Sequence, residues 1–279
     1  MNLQPVEDLD DPRVADYRNV RDADLRAARG LFLAEGRLNV KRLVAGGRHR
    51  TRSVFLTPAG LDGLRPALEG LPGTVPVYVA PQAVLNGVVG YDLHRGCLAA
   101  GERGALPGFD QALAREARTP RRWLALEDLT NPDNVGGAFR NALAFGVAQV
   151  LLTARCADPL YRKALRVSMG ASLRLPFAAA PRWPAELATL RRAGFTVVSL
   201  VADRGAPALS TLAPARPAGA TGIVLVVGNE GEGVTPGARA ASDACVTIPM
   251  AAEVDSLNAA TASGIALAQV AARLGIVGA

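Results

Sequence analysis

Three stretches in the second half of the chain place polar side chains where apolar runs stop. "LEDLTNPDNVGGAFRNALAFG" (residues 126–146) begins as a strand, breaks into a polar turn and enters a helix near Asn134, with Arg140 inside it among small and apolar neighbours. Ligands of parallel α/β sheets bind at the carboxyl ends of strands, so this turn is placed for chemistry. Asn134 reads equally as a helix N-cap, and Arg140 equally as a snorkelling or ion-paired side chain. "VVGNEGEGV" (226–234) runs a buried strand into Gly228, Gly231 and Gly233, residues that let backbone approach a ligand or turn tightly. Its spacing is neither the dinucleotide-binding glycine pattern nor a P-loop. Glu230 and Glu232 would repel a pyrophosphate, so the loop suits a cationic or neutral ligand better than NAD or ATP. "IPMAAEVDSLNAATASGIAL" (248–267) ends a strand at Pro249 and presents Ser256, Leu257 and Asn258 at the start of the last helix, where Ser256 reads as a cap.

The elements that must hold these stretches are strands alternating with helices. "WLALE", "AQVLLT", "LPFAA", "FTVVSL", "GIVLVVG" and "ACVTIPM" read as strands. "NVGGAFRNALAFG", "PLYRKALRVSMGA" and "PAELATLRRAG" read as helices, the second with Pro159 at its start. Such alternation gives a parallel sheet covered on both faces. Nearer the N-terminus, "LFLAEG", "RSVFLTP", "VPVYVA" and "GCLAAGE" read as strands and "RLNVKRLVAGG" and "AGLDGLRPALEG" as helices, a second, smaller α/β domain. The expected division is residues 1–104, after a polar extension of about 20 residues, a linker at 105–121, and a domain at 122–279.

Composition narrows the function classes. Of 279 residues 49% are hydrophobic, ample for a core, and the formal net charge is +6, carried mostly by Arg, which suits contact with phosphate. Arg37, Lys41, Arg42, Arg48, Arg50 and Arg52 follow one another with no acid between them, as an RNA-binding face or a solvated one. The three cysteines are scattered and the histidines are two, so neither a metal site nor a disulfide framework is expected. No apolar run approaches a membrane span and no signal peptide is present, so a reduced, cytoplasmic protein is expected.

In this order, "NPDNVGGAFRNA", "VVGNEGEGV" and "IPMAAEVDSLNAATASGIAL" resemble the three motifs of the SpoU (SPOUT-superfamily) RNA ribose 2′-O-methyltransferases. "FLAEGRLNVKRLV" and "HRGCLAA" resemble the small substrate-binding domain, related in fold to ribosomal protein L30e, that many members carry. The resemblance implies an α/β fold whose C-terminal segment forms a deep trefoil knot. It also implies S-adenosylmethionine as cofactor, a homodimer formed through the catalytic domain, and structured RNA as substrate, rRNA favoured over tRNA. Carried onto this chain, Leu200, Gly228, Ile248, Met250 and Leu257 would hold the cofactor. Arg140, Asn134, Glu230, Ser256 and Asn258 would form the catalytic set, with Glu230 holding Arg140 or its loop. The chain departs from the family pattern in two places: at Asn141, where Thr is usual, and at Ala259, Ala260 and Thr261, where a Val-Ser-Val-like run is usual. The first is expected to tune substrate fit and the second helix packing. The alternatives are a non-enzymatic RNA-binding or ribosome-assembly factor that retains the fold and, ranked last for want of the glycine fingerprint, a dehydrogenase.

Overall fold

The computed structural model describes residues 1–115, 121–211 and 222–273. Residues 116–120 of the expected linker and 274–279 of the expected catalytic domain lie outside them. The chain forms two compact units, one of residues 1–105 with 160–174, the other of 106–159 with 175–279.

The first unit is built on β1 (Asn2–Pro5), β2 (Leu31–Glu35), β3 (Thr51–Leu56), β4 (Pro76–Val79) and β5 (Cys97–Glu102), ordered β1-β4-β3-β5-β2. β1 and β3 run parallel to β4, whereas β2 and β3 run antiparallel to β5. Helices α1 (Asp22–Arg29), α2 (Arg37–Val44), α3 (Pro58–Leu68) and α4 (Gln82–Val89) connect them. The N-terminal residues are not the polar extension expected. Leu3 and Gln4 of β1 pair with Val77 and Tyr78 of β4. Val14 and Tyr17 are fully buried in the core with Phe55, Leu85 and Leu98. Burying two such side chains stabilises the fold by roughly 1.5–3 kcal/mol each. The Tyr17 hydroxyl shares a 2.7 Å hydrogen bond with Ser53 Oγ and accepts one from the Ala100 amide, and burial pushes its pKa well up.

In the second unit, α5 (Phe109–Ala114) occupies the expected linker and buries Phe109 and Ala112 in the core beside Trp123 and Phe195. Then follow β6 (Arg121–Leu126), α6 (Pro132–Ala144) and β7 (Gln149–Leu152). The next helix, α7 (Arg162–Val167), is shorter than "PLYRKALRVSMGA" suggests, and it belongs to the first unit. Pro159 lies before it. Met169 and Gly170, at φ 53° and 74°, stop it by turning left-handed. A Cβ on Gly170 would lie 2.8 Å from Asn39 Oδ1, so the chain there packs directly on α2. The second unit continues with β8 (Phe177–Ala179), α8 (Ala185–Arg192), β9 (Phe195–Leu200), β10 (Gly222–Val227), α9 (Pro236–Ala240), β11 (Ala244–Val246) and α10 (Ala259–Arg273). The sheet order is β11-β9-β10-β6-β7-β8 and every pairing is parallel, as the apolar strands predicted. β11 is three residues long and does not reach Pro249. Its partner β9 ends at Leu200, and the Thr247 amide turns to the Pro207 carbonyl instead.

Three helix starts share one device, a capping side chain followed by proline. Thr57-Pro58 opens α3, Asn131-Pro132 opens α6 and Thr235-Pro236 opens α9. The cap oxygen takes an otherwise unsatisfied amide, and proline lacks the amide that would be orphaned anyway.

Candidate active site

Glu127 closes β6 and is 2% exposed. Its carboxylate accepts from Trp183 Nε1 at 2.7 Å, Thr235 Oγ1 at 2.7 Å and the Thr235 amide at 3.1 Å. Three donors compensate the desolvation of a buried charge. The result ties the end of β6 to the start of α9, and so fixes the glycine-rich loop between β10 and α9. This residue was missed by the sequence reading; the signal was an acid ending the apolar run "WLALE". Asp128 follows with φ 56°, a left-handed conformation uncommon outside glycine. Its carbonyl accepts from Asn229 Nδ2 at 2.8 Å, and its carboxylate accepts from Thr153 Oγ1 at 2.6 Å.

The glycine-rich loop folds back on itself. A Cβ on Gly228 would lie 2.2 Å from the Gly233 carbonyl carbon, so this crossing admits only glycine. The Gly233 amide bonds the Asn229 carbonyl at 2.9 Å, and Asn229 Oδ1 accepts from the Gly231 amide at 2.8 Å.

The third stretch lies against the chain that follows β9. Thr247 bridges Ala208, Leu209 donates its amide to the Thr247 carbonyl at 2.8 Å, and Arg204 donates to the carbonyls of Ala252 and Val254. Asn258, not Ser256, caps α10: its Oδ1 accepts from the amides of Ala260 at 3.0 Å and Thr261 at 3.2 Å. Likewise Asn131, not Asn134, caps α6, accepting from the Asp133 amide at 2.9 Å.

Freed from capping, Asn134 is buried and joins all three stretches. Asn258 Nδ2 donates to Asn134 Oδ1 at 2.7 Å, and Asn134 Nδ2 donates to Glu230 Oε1. The order of donors and acceptors is fixed throughout. Helix amides must meet the oxygen of Asn258, which leaves its nitrogen for Asn134, whose own nitrogen must then meet a carboxylate that can only accept. The chain of dipoles runs from the N-terminus of α10, the positive end of that helix, to the Glu230 carboxylate.

Beside this network lies a cavity of about 450 Å³. Its wall includes all five residues expected to hold a cofactor, Leu200, Gly228, Ile248, Met250 and Leu257, together with Glu230 and Ser256 of the expected catalytic set. The volume falls in the range of roughly 300–1,000 Å³ usual for small-molecule sites. Four carboxylates, from Asp203, Glu230, Glu232 and Asp255, line it, a donor set suited to a cation.

Arg140 does not join the set. It is exposed on α6, does not line the cavity, and makes no hydrogen bond or ion pair among the described residues. Six residues past Asn134, it lies about 120° round the helix. Glu230, expected to hold Arg140 or its loop, does not pair with Arg140 and instead bonds Asn134 in the stretch that carries it. The face of α6 carrying Asn134, Gly137 and Asn141 packs on α10. A Cβ on Gly137 would lie 2.6 Å from Ala260 Cβ, and Asn141 Nδ2 donates to the Ala260 carbonyl at 2.7 Å and to Ser263 Oγ at 3.2 Å. The two departures from the family pattern therefore meet in one helix–helix contact, and Asn141 serves packing rather than the substrate fit expected of it.

Within the first unit, the six basic residues are not free of acids in space. Arg52 pairs with Asp16 at 3.2 Å and Arg50 with Glu102 at 3.8 Å, both from outside the segment, while Arg42 donates to the Met169 carbonyl. Arg37 and Lys41 are exposed, as is Arg48. Exposed pairs of this kind contribute about 0–1 kcal/mol, so phosphate can displace them. His49, beside them, packs edge-on against Phe32, and burial lowers its pKa.

Among the described residues, no group of His, Cys, Asp and Glu could hold a metal ion, and no helix is long and apolar enough to cross a membrane. Cys97, Cys156 and Cys245 are free thiols, and burial pushes Cys97 up to about 11.

Residues 121–268 match the model of the SpoU rRNA methylase family. An uncharacterized tRNA/rRNA methyltransferase of Mycobacterium bovis is 40% identical over 274 residues, 95% of this chain and 91% of its own. An AdoMet-bound rRNA methyltransferase from Sinorhizobium meliloti shares the fold at TM-score 0.80 and 23% identity over 99% of each chain. A putative RNA methyltransferase of the TrmH family from Porphyromonas gingivalis does so at TM-score 0.74 and 26% identity, over 93% of this chain and 96% of its own. The residues that line the cavity lie within the matched region, and the fold is the knotted α/β architecture that the motifs implied. By its matched domain and its near full-length relatives, the chain belongs to the SpoU rRNA methylase family.

Proposed function

We propose that the protein is an S-adenosylmethionine-dependent methyltransferase that modifies a ribose 2′-hydroxyl in structured RNA, with rRNA favoured over tRNA. The observation that carries the reading is the cavity itself. Chain that follows β9, β10 and β11 lines about 450 Å³ beside carboxylates suited to a sulfonium, and the last two segments are tied to β6 and α6 by Glu127, Asn134 and Asn258. Leu200, Gly228, Ile248, Met250 and Leu257 would hold the cofactor, which supplies an electrophilic methyl group when bound. The reading goes to RNA rather than to another nucleophile because the family and the relatives are named for it and the net charge is +6.

The chain's own residues have three tasks. A hydroxyl is a weak nucleophile at neutral pH and must be aligned. Ser256 lines the cavity and is exposed, so its hydroxyl is available to the ribose. Asn134 and Asn258 spend their amides on each other and on Glu230, so they position the loops and leave direct contact to Ser256 and the free oxygen of Glu230. Arg140, exposed and without a partner among the described residues, is assigned to an RNA phosphate or to the developing alkoxide. A guanidinium stays protonated in proteins, which excludes it as an ordinary base. Arg37, Lys41, Arg42, Arg48, Arg50 and Arg52 would contact RNA backbone, conferring affinity rather than sequence choice. A homodimer through residues 122–279 completes the proposal, to be measured by sedimentation equilibrium.

The test is incubation with methyl-labelled S-adenosylmethionine and unmodified total RNA, followed by alkaline hydrolysis. Label in alkali-resistant dinucleotides supports the reading, and label confined to bases refutes the ribose target. Cofactor binding with no transfer to any RNA would return the non-enzymatic alternative. Arg140→Ala is expected to abolish turnover while leaving cofactor affinity unchanged.

A further inference from the structure

S-adenosylmethionine carries two positive groups, the sulfonium and the ammonium, and one negative group, the carboxylate. Four acids line the cavity and accommodate the positive groups. They make the same space hostile to the carboxylate unless a cation meets it. Among the described residues lining the cavity, Arg239 is the one cation. It lies on α9, half-buried, and its Nε donates to the Val234 carbonyl at 2.8 Å. That bond holds the guanidinium plane against the glycine-rich loop, where a Cβ on Gly233 would lie 3.6 Å from Arg239 Nη2. Neither Nη atom makes a hydrogen bond or ion pair among the described residues. An arginine has five N–H donors, so four remain, on a fork that matches a carboxylate.

We propose that Arg239 is the residue of this site that recognises the amino-acid carboxylate of the cofactor. The inference rests on S-adenosylmethionine being the cofactor and adds the residue that reads its one anionic group. Anchoring at Nε leaves the outer edge of the guanidinium for the ligand and takes little rotamer freedom on binding. The same anchor links the cofactor's tail to the loop that carries Glu230. The bound carboxylate therefore stiffens the segment that holds Asn134.

The test is calorimetric and needs no turnover. S-adenosylhomocysteine has the carboxylate, and 5′-methylthioadenosine lacks the whole amino-acid end. Arg239→Gln is expected to weaken S-adenosylhomocysteine roughly tenfold or more, as loss of a charge-assisted pair does. It should leave 5′-methylthioadenosine within about twofold, and Arg239→Lys should recover part of the loss. Equal weakening of both ligands would mean that Arg239 only braces the loop, and the proposal fails. No weakening of either also overturns it. A second comparison uses the unaltered protein, in case the variants do not fold. The analogue 5′-deoxy-5′-(3-aminopropylthio)adenosine keeps the ammonium and lacks only the carboxylate. It should bind roughly tenfold or more below S-adenosylhomocysteine, and equal affinity overturns the proposal. If none of the three ligands binds the unaltered protein, the cofactor assignment itself is wrong, a result distinct from failure of Arg239 alone.

Discussion

Asn134→Asp replaces the amide that faces Glu230 with a second carboxylate. In the native protein Asn134 Nδ2 donates to Glu230 Oε1 and Asn258 Nδ2 donates to Asn134 Oδ1. The variant keeps the second bond and turns the first into repulsion between like charges. Two unit charges about 4 Å apart interact by about 4 kcal/mol at an effective dielectric of 20 and about 1 kcal/mol in bulk water. Asn134 is buried and Glu230 exposed, so about 2 kcal/mol is the working value between those limits. Loss of the charge-assisted hydrogen bond adds about 1.5 kcal/mol. Proton uptake caps the total. The new carboxyl can always neutralise, at about 1.36 kcal/mol for each pH unit above its ordinary pKa near 4, so the cost at about pH 7 stays below roughly 4 kcal/mol. The sign follows. The folded-state pKa of the pair is raised above its unfolded value, so the variant binds a proton more readily when folded. Its deficit is full above the raised pKa, shrinks as pH falls below it and is gone only below the ordinary pKa of about 4. A protonated carboxyl also restores a donor toward Glu230. Urea unfolding followed by tryptophan fluorescence reads the second unit, since Trp123 and Trp183 both lie there. The variant should be about 3 kcal/mol less stable than the native protein at about pH 7.5 and only about 1.4 kcal/mol less stable at about pH 5. A deficit that does not change with pH, or no deficit at neutral pH, would refute the contact between Asn134 and Glu230.

Asn141→Ala should lower stability by about 1–2 kcal/mol in urea, the worth of its bonds to Ala260 and Ser263, and leave KM for RNA and cofactor affinity unchanged. A changed KM would return Asn141 to the substrate. Gly228→Ala places a Cβ where the Gly233 carbonyl carbon lies 2.2 Å away, so calorimetry should show cofactor binding lost while circular dichroism shows the fold retained. Lys41→Ala should weaken RNA of any sequence and lower the slope of log affinity against log salt by about 1, whereas an unchanged slope removes Lys41 from the RNA contact.

The three loops were legible because glycine, proline and clustered polar residues interrupt apolar strands, and the parallel sheet because those strands are apolar on both faces. Which polar residue caps which helix was not. In "TNPDN" and "DSLN" several side chains can cap, and the choice depends on the backbone conformation that tertiary contacts impose. Once Asn131 and Asn258 take the helix amides, Asn134 is released for Glu230, which no local rule reveals. The N-terminal residues looked like a solvated extension because Val14 and Tyr17 stand singly among charges, and their burial depends on Phe55 and Leu98 far along the chain. Arg140 illustrates the reverse limit. The motif marks its position, yet its six-residue offset from Asn134 carries it off the face that packs on α10.

The bond between Asn258 and Asn134 spans 124 residues of chain. Contacts of such separation form late, because the entropy of closing a long loop must be met before they contribute. On the ribosome, β6 and α6 emerge well before α10, so a nascent chain displays the first loop with Asn134 unpartnered and no walled chamber beside it. Competence for catalysis therefore waits until α10 has been made and docks along α6. A site so arranged cannot engage its methyl donor, or its RNA target productively, before α10 is in place.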